Sequence, residues 1–209
     1  MYLAKEIDST LESVKLKLLG THSYKSITYN LNRAFAKKDL KFRYEAFNNF
    51  EKNEFSVGGL YDTHNDMRFI IYNFSSHTNE FTLEDWKTFK FETSQALQHE
   101  SIHQLQWQHR DPDDDCERLD FRVLCQGSEE DEDPEYLADV DEIDAYSHDI
   151  AMEIKFYYPS RSPYEVLQNI NKCRKIPSYS YYKKTFKKCD WLGIRKRLLK
   201  KTFRWIKHV

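Results

Sequence analysis

The chain is poor in the residues that punctuate secondary structure, with 5 Gly and 5 Pro among its 209 residues. Usage that low argues against collagen-like, low-complexity and turn-dense all-β architectures. Cysteine is sparse as well. Cys116, Cys125, Cys173 and Cys189 include no Cys-x-x-Cys pair, so neither a zinc ribbon nor a disulfide framework is expected, and a reducing compartment fits better. Long hydrophobic runs are missing: Phe69-Ile70-Ile71-Tyr72 is far shorter than the ~18 residues a membrane-spanning helix needs. Residues 1 to 20 mix charges with apolar side chains and lack the apolar stretch and small-residue cleavage site of a secretory leader. The expectation is a chain with no membrane span that works in the cytoplasm where it is made. No internal repeat is visible.

What the chain does contain is aromatic and charged. Its 14 Tyr, 14 Phe and 4 Trp supply enough core-forming rings to exclude disorder throughout, despite a mean hydropathy of -0.81. The net charge of -2 hides a division: residues 172–209 carry 14 Lys and Arg against Asp190 alone. Two regions are therefore predicted, a body over 1–171 and a basic, aromatic-rich helical tail over 172–209.

Apolar spacing supplies the elements. Leu3, Ile7, Leu11, Val14 and Leu18 recur at three- and four-residue steps and predict an amphipathic helix that stops at Gly20. The same spacing from Ser26 to Phe50 predicts one or two further helices. Phe55–Tyr61 and Met67–Phe74, separated by Asp62-Thr63-His64-Asn65-Asp66, read as a β-hairpin. Thr82 and Asp85 form a capping-box pattern that opens a helix to about His109. The acidic runs Asp113-Asp114-Asp115 and Glu129 to Asp133 read as solvated loop rather than a calcium site, because the EF-hand ligand alternation is missing. Helices are expected from Glu135 to about Tyr158, from the Ser162-Pro163-Tyr164-Glu165 start signal, and from Tyr179 to His208. The fold class is α+β, mainly helical with a small β-sheet.

The stretch that carries chemistry is His99-Glu100-Ser101-Ile102-His103, an H-E-x-x-H sequence inside the predicted 85–109 helix. Side chains four apart share a helix face, so the two imidazoles can converge on one metal ion, with Glu100 beside them as general base. Zinc would lower the pKa of a water from 15.7 to about 7, and the carboxylate can then take its proton. A catalytic zinc wants three protein ligands and one open position. Two candidates compete for the third. His109 has the metzincin spacing, but Gln106 stands where that pattern needs the Gly that turns the chain back. If the helix continues, His109 lies about 120° off the ligand face. Glu142 lies on the next strong helix, within Asp141-Glu142-Ile143-Asp144-Ala145-Tyr146.

The order of strand, then H-E-x-x-H helix, resembles the zincin metallopeptidases. Glu142-Ile143-Asp144-Ala145 is similar to the E-x-x-A on the second active-site helix of gluzincins, whose Glu is the third zinc ligand. That resemblance implies one zinc ion per chain held by His99, His103 and Glu142, hydrolysis of a protein or peptide substrate, and a Tyr or His that stabilises the oxyanion. Tyr146, four residues past Glu142, is the expected residue, with His148 as its rival. Tyr146 occupies the place of the gluzincin Asp that steadies a zinc-bound His, and Asp149, a turn further on, is the expected substitute. The motif also resembles small proteins of tailed bacteriophages in which H-E-x-x-H-x-x-Q is followed by a D-E-I-D-A-Y-type helix. That likeness covers roughly 55–158 and implies a host cytoplasm or virion setting.

Three further readings stay open. Gly58-Gly59 in the upstream strand fits a substrate backbone pairing along a sheet edge, and equally a bulge or tight packing. The basic tail fits a helical pair packed on the core, a nucleic-acid surface or a membrane surface. Rival classes for the whole chain are a catalytically inactive zincin-fold binding or structural protein, and a nucleic-acid-binding protein acting through the tail.

Overall fold

The structure is a computed structural model and describes residues 2–21, 23–47, 54–75, 80–110 and 133–209. Both acidic runs and Cys116 and Cys125 lie outside the described residues, apart from Asp133. The protein is α+β, with a small three-stranded sheet among helices. Contacts divide it into two compact units, Met1–Leu105 and Gln106–Val209.

The first unit opens with α1 (Tyr2–Leu18), whose Ile7, Leu11, Val14 and Leu18 form the buried stripe expected from their spacing. Gly20, at φ 99, turns the chain out of it. A two-residue strand β1 (Gly20–Thr21) precedes α2 (Tyr24–Ala34), capped by the Ser23 side chain, which accepts from Ser26 N. The helical reading of 26–50 then fails. Leu40–Phe47 is strand β2, and its side chains alternate: Leu40 and Phe42 are buried, Lys41 and Arg43 exposed. That period of two was masked by the aromatics on both sides of it. Asn32 on α2 holds Phe42 by both backbone groups, donating to its carbonyl and accepting from its N–H, each at 2.9 Å.

The hairpin is present. Strand β3 (Phe55–Asp62) runs antiparallel to β4 (Met67–Ser75), and β2 joins the other edge of β4 in parallel, giving the order β2-β4-β3. In the turn, Asp62 accepts from the His64 and Asn65 N–H groups and Asp66 takes a φ of 46. Burial follows position: the central strand is buried over Arg68, Phe69 and Ile70, whereas edge strand β3 is exposed over Gly58, Gly59 and Leu60.

Strand β5 (Glu80–Phe81) pairs with β1 and leads into α3 (Leu83–Gln108). The capping box forms as expected, with Asp85 N donating to Thr82 Oγ1 and Thr82 N to Asp85 Oδ2. Phe89 docks α3 on the unit's core, its ring 5.0 Å from Tyr72 and 4.9 Å from Phe81. One turn on, Tyr72 and Thr93 hydroxyls share a buried hydrogen bond of 3.1 Å. These contacts fix the rotation of α3 and therefore which way its next turns face.

In the second unit the expected 135–158 helix is broken. α4 (Asp133–Ala138) ends and α5 (Val140–Tyr157) begins at Asp139, whose carboxylate caps Asp141 N at 2.7 Å. α6 (Pro163–Gln168) starts where Ser162-Pro163 predicts, although the Ser162 side chain makes no capping hydrogen bond. A 3₁₀ turn (Ile170–Lys172), α7 (Pro177–Thr185) and α8 (Lys188–Trp205) complete the chain.

The basic segment is part of this unit's core. Ile194 and Leu198 of α8, Ile206 just past its end, and Tyr179 and Tyr182 of α7 are buried with Ile143, Ile150 and Ile154 of α5. Polar clasps set the register: Ser147 Oγ donates to Leu198 O at 3.0 Å, and Asp144 receives Trp205 Nε1 and Lys201 Nζ, both at 3.1 Å. Among the described residues no helix is long and apolar enough to cross a membrane. Cys173 and Cys189 are free thiols.

Candidate metal centre

The H-E-x-x-H turns lie where α3 has left the aromatic anchor but is still buried. His99, Glu100 and His103 are 9%, 5% and 4% exposed, far below what surface helix residues of these types show. The imidazoles converge, with Nε2 to Nε2 at 3.0 Å and ring centroids 4.8 Å apart. On the opposite side of the helix Ser101 donates to Leu97 O and accepts from Arg68 Nη1, each at 2.6 Å. Arg68 Nη2 in turn meets Asp39 at 2.6 Å. Burial would raise the Asp39 carboxyl, but the Arg68 guanidinium beside it holds it below the ordinary value. Gln104 adds a bond to Asp66 at 2.9 Å, and Asp66 also accepts from Tyr61. Burial first, then the Asp66 carboxylate, pushes the Tyr61 hydroxyl up, so it stays a donor. This network ties α3 to strand β4 and the hairpin turn, and it leaves the histidines as the helix's other buried polar face.

Glu142 is 1% exposed in the first turn of α5. Next to it in sequence, Asp141 is held within the same unit: Gln106 Nε2 donates to Asp141 O at 3.2 Å, and Arg110 is ion-paired with the Asp141 carboxylate. His99, His103 and Glu142 are all buried, and each carries a side-chain atom of a kind that ligates metal ions. His109, past the end of α3, is exposed. The helix does not turn back at Gln106, as the missing Gly leads one to expect.

The other expected residues sit along one stripe of α5. Glu142, Tyr146, Asp149 and Glu153 recur at four, three and four residues and face α7. Glu153 accepts from Ser178 N and Ser178 Oγ and so caps the start of α7. Tyr146 packs its ring on Tyr182 at 5.2 Å and Tyr181 at 6.2 Å. Asp149 is buried, with His148 Nδ1 3.8 Å from its Oδ1, and the His148 ring stands edge-on to Trp205 at 5.0 Å.

Three residues carry weight that sequence reasoning did not assign. Gly59 on edge strand β3 lies against the Glu100 side chain: a Cβ built there falls 2.4 Å from Oε1 and 2.7 Å from Cγ. Of the two readings of the glycine pair, tight packing holds for Gly59, while a Cβ on Gly58 meets nothing within 4 Å. Tyr182 is fully buried, and burial first, then Tyr146, Glu142 and Asp149, pushes its hydroxyl up. Glu92, one heptad before His99, is pushed by burial up to about 7. The glycine pair signals close packing without showing against what, and no local pattern signals Tyr182 or Glu92, because each depends on what another element places opposite it.

Comparison of the chain with protein-family models, curated proteins and solved structures finds no match.

Proposed function

We propose that this chain is a zinc-dependent metallopeptidase of gluzincin type, one ion per chain, held by His99, His103 and Glu142. The single observation that carries the reading is the buried pair of imidazoles on one face of α3, Nε2 to Nε2 at 3.0 Å, with the buried Glu100 next to them in the H-E-x-x-H sequence. The donor set fits the ion. Nitrogen and oxygen ligands about 2.05 Å from a tetrahedral zinc are about 3.3 Å apart, close to the 3.0 Å between the imidazole nitrogens. Two neutral donors and one anion leave the ion a net positive charge and a fourth position.

When bound, the zinc would acidify a water and polarise the scissile carbonyl. The remaining work falls to side chains. Glu100 takes a proton at its carboxylate from the attacking water and returns it to the leaving amine nitrogen. Gly59, which leaves no room for a side chain, keeps Glu100 in one position. Tyr146 is the proposed donor to the developing oxyanion. The substrate is a protein or peptide of the cytoplasm in which the chain works, a phage-infected cell if the phage resemblance holds.

The test is metal content by mass spectrometry on tag-free protein. About one zinc per chain, lost in Glu142→Ala and kept in His109→Ala, is the expected result, with peptide cleavage abolished and zinc retained in Glu100→Gln. Zinc absent from the wild type after refolding with the metal, or retained in Glu142→Ala, overturns the ligand set. Zinc with no Glu100-dependent cleavage leaves a metal-bearing binding protein instead.

A further inference from the structure

The second unit's last helix uses its apolar face and Lys201 internally and turns its other cations outward. Lys196, Arg197, Lys200 and Arg204 are all exposed, and none is paired with a carboxylate among the described residues. At 3.6 residues per turn they fan over about 100° of the helix surface and extend about 12 Å along it. Lys183, Lys184, Lys187, Lys188 and Lys207 flank them and are exposed too, and within 172–209 Asp190 is the only acid. Lys187 and Lys188 also stand at the positive end of the helix dipole, where a cation is unfavourable by about 0.3–1 kcal/mol. A fold that needed these residues only for its core would not gather them this way.

From this we infer that the solvent face of α8 is a docking surface for the phosphate backbone of single-stranded nucleic acid. Charge complementarity selects the occupant: a row of unpaired cations about one helical turn apart matches a polyanion with regularly spaced charges. Phe203 strengthens the choice of a single strand. Its ring is 50% exposed, braced underneath by Tyr164 at 5.1 Å, and stands at one edge of the cation fan, next to Lys196 and Lys200 on the helix surface. A ring so placed can stack on an unpaired base while its neighbours neutralise phosphates. A bilayer is less well served. The exposed apolar residues of α8, Leu192 and Phe203, stand three turns apart at one edge of the cation fan with half-buried Leu199 near the line between them, a strip too narrow and too sparse to insert.

Fluorescence anisotropy of a labelled 20-nucleotide single strand with the full chain tests this between 50 and 200 mM salt. Four phosphate contacts at a slope of about 0.7 each predict about 50-fold weaker binding over that range. The variant K196Q/R197Q/K200Q/R204Q should lose most of that salt dependence and bind at least tenfold more weakly at 50 mM. Phe203→Ala should cost about tenfold with the slope unchanged. A control, K5Q/K25Q/K38Q/K41Q, removes the same charge from exposed positions of the first unit and should bind as wild type. Unchanged melting temperature of each variant shows that the fold is intact. Equal weakening by the control, no binding at 50 mM, or tighter binding of a duplex than of the single strand would overturn the inference. So would co-sedimentation with phosphatidylserine–phosphatidylcholine vesicles by a protein that ignores nucleic acid.

Discussion

Gly59→Ala is the sharpest test of how the candidate site is built. The perturbation adds one methyl group to edge strand β3, at a residue whose backbone lies in a region open to any L-amino acid. Its carbon would sit 2.4 Å from Glu100 Oε1, 2.7 Å from Cγ and 2.9 Å from Cδ. Ordinary contact begins near 3.4 Å, so the carboxylate must retreat by about 1 Å, a displacement that costs catalysis on the order of a hundredfold. Glu100 is 5% exposed and cannot swing into solvent without disturbing its neighbours, so a stability loss of about 1–3 kcal/mol accompanies the overpacking. None of His99, His103 and Glu142 is among the atoms nearest that methyl group, so bound zinc should stay at one per chain. Gly58→Ala is the internal control, since its methyl group meets nothing within 4 Å. The assay pairs cleavage of a quenched-fluorescent peptide pool with metal content and thermal melting. Full cleavage by Gly59→Ala, or equal loss in both alanine variants, would refute the claim that Gly59 positions Glu100.

Two stability predictions concern the first unit. Glu92 rises from the ordinary carboxylate value of 4.5 to about 7 because burial disfavours its charge. The stability linked to that shift is therefore fully present below about pH 4.5 and lost as pH rises through 7, by about 3 kcal/mol. Urea melts with chelator present should show wild type losing that amount between pH 4.5 and 8 relative to Glu92→Gln, and parallel curves would show that Glu92 is not buried. Asn32→Ala leaves the Phe42 N–H and carbonyl of strand β2 without their side-chain partner, and should lower stability by about 1–3 kcal/mol. Replacement by Asp keeps an acceptor but no donor and should recover only part of the loss.

Much of the first unit was legible because its signals are local. Helix α1 follows from five apolar residues at helical steps, and the start of α3 from Thr82 and Asp85, whose side chains each accept from the other's backbone N–H. The β3–β4 hairpin follows from two alternating runs around Asp62 to Asp66. Strand β2 did not show, since Phe42 and Tyr44 fit a helix pattern until β4 is known to lie beside them. The break at Asp139 was missed for the opposite reason: apolar spacing runs on through it, and a capping carboxylate bonding Asp141 N ends the register.

For the candidate site, sequence alone determined that His99, Glu100 and His103 share a helix face, because four residues on an α-helix return close to the starting angle. It also left His109 and Glu142 as rivals. Tertiary structure decided the burial of each: α3 stays helical to Gln108 and leaves His109 exposed past its end, while Glu142 is buried in the first turn of α5. The placement of Gly59 on Glu100 and the outward turn of the α8 cations were likewise tertiary. Spacing along a chain fixes only what lies within a helical turn or two. What stands across from a side chain depends on which distant segment buries its own apolar face there.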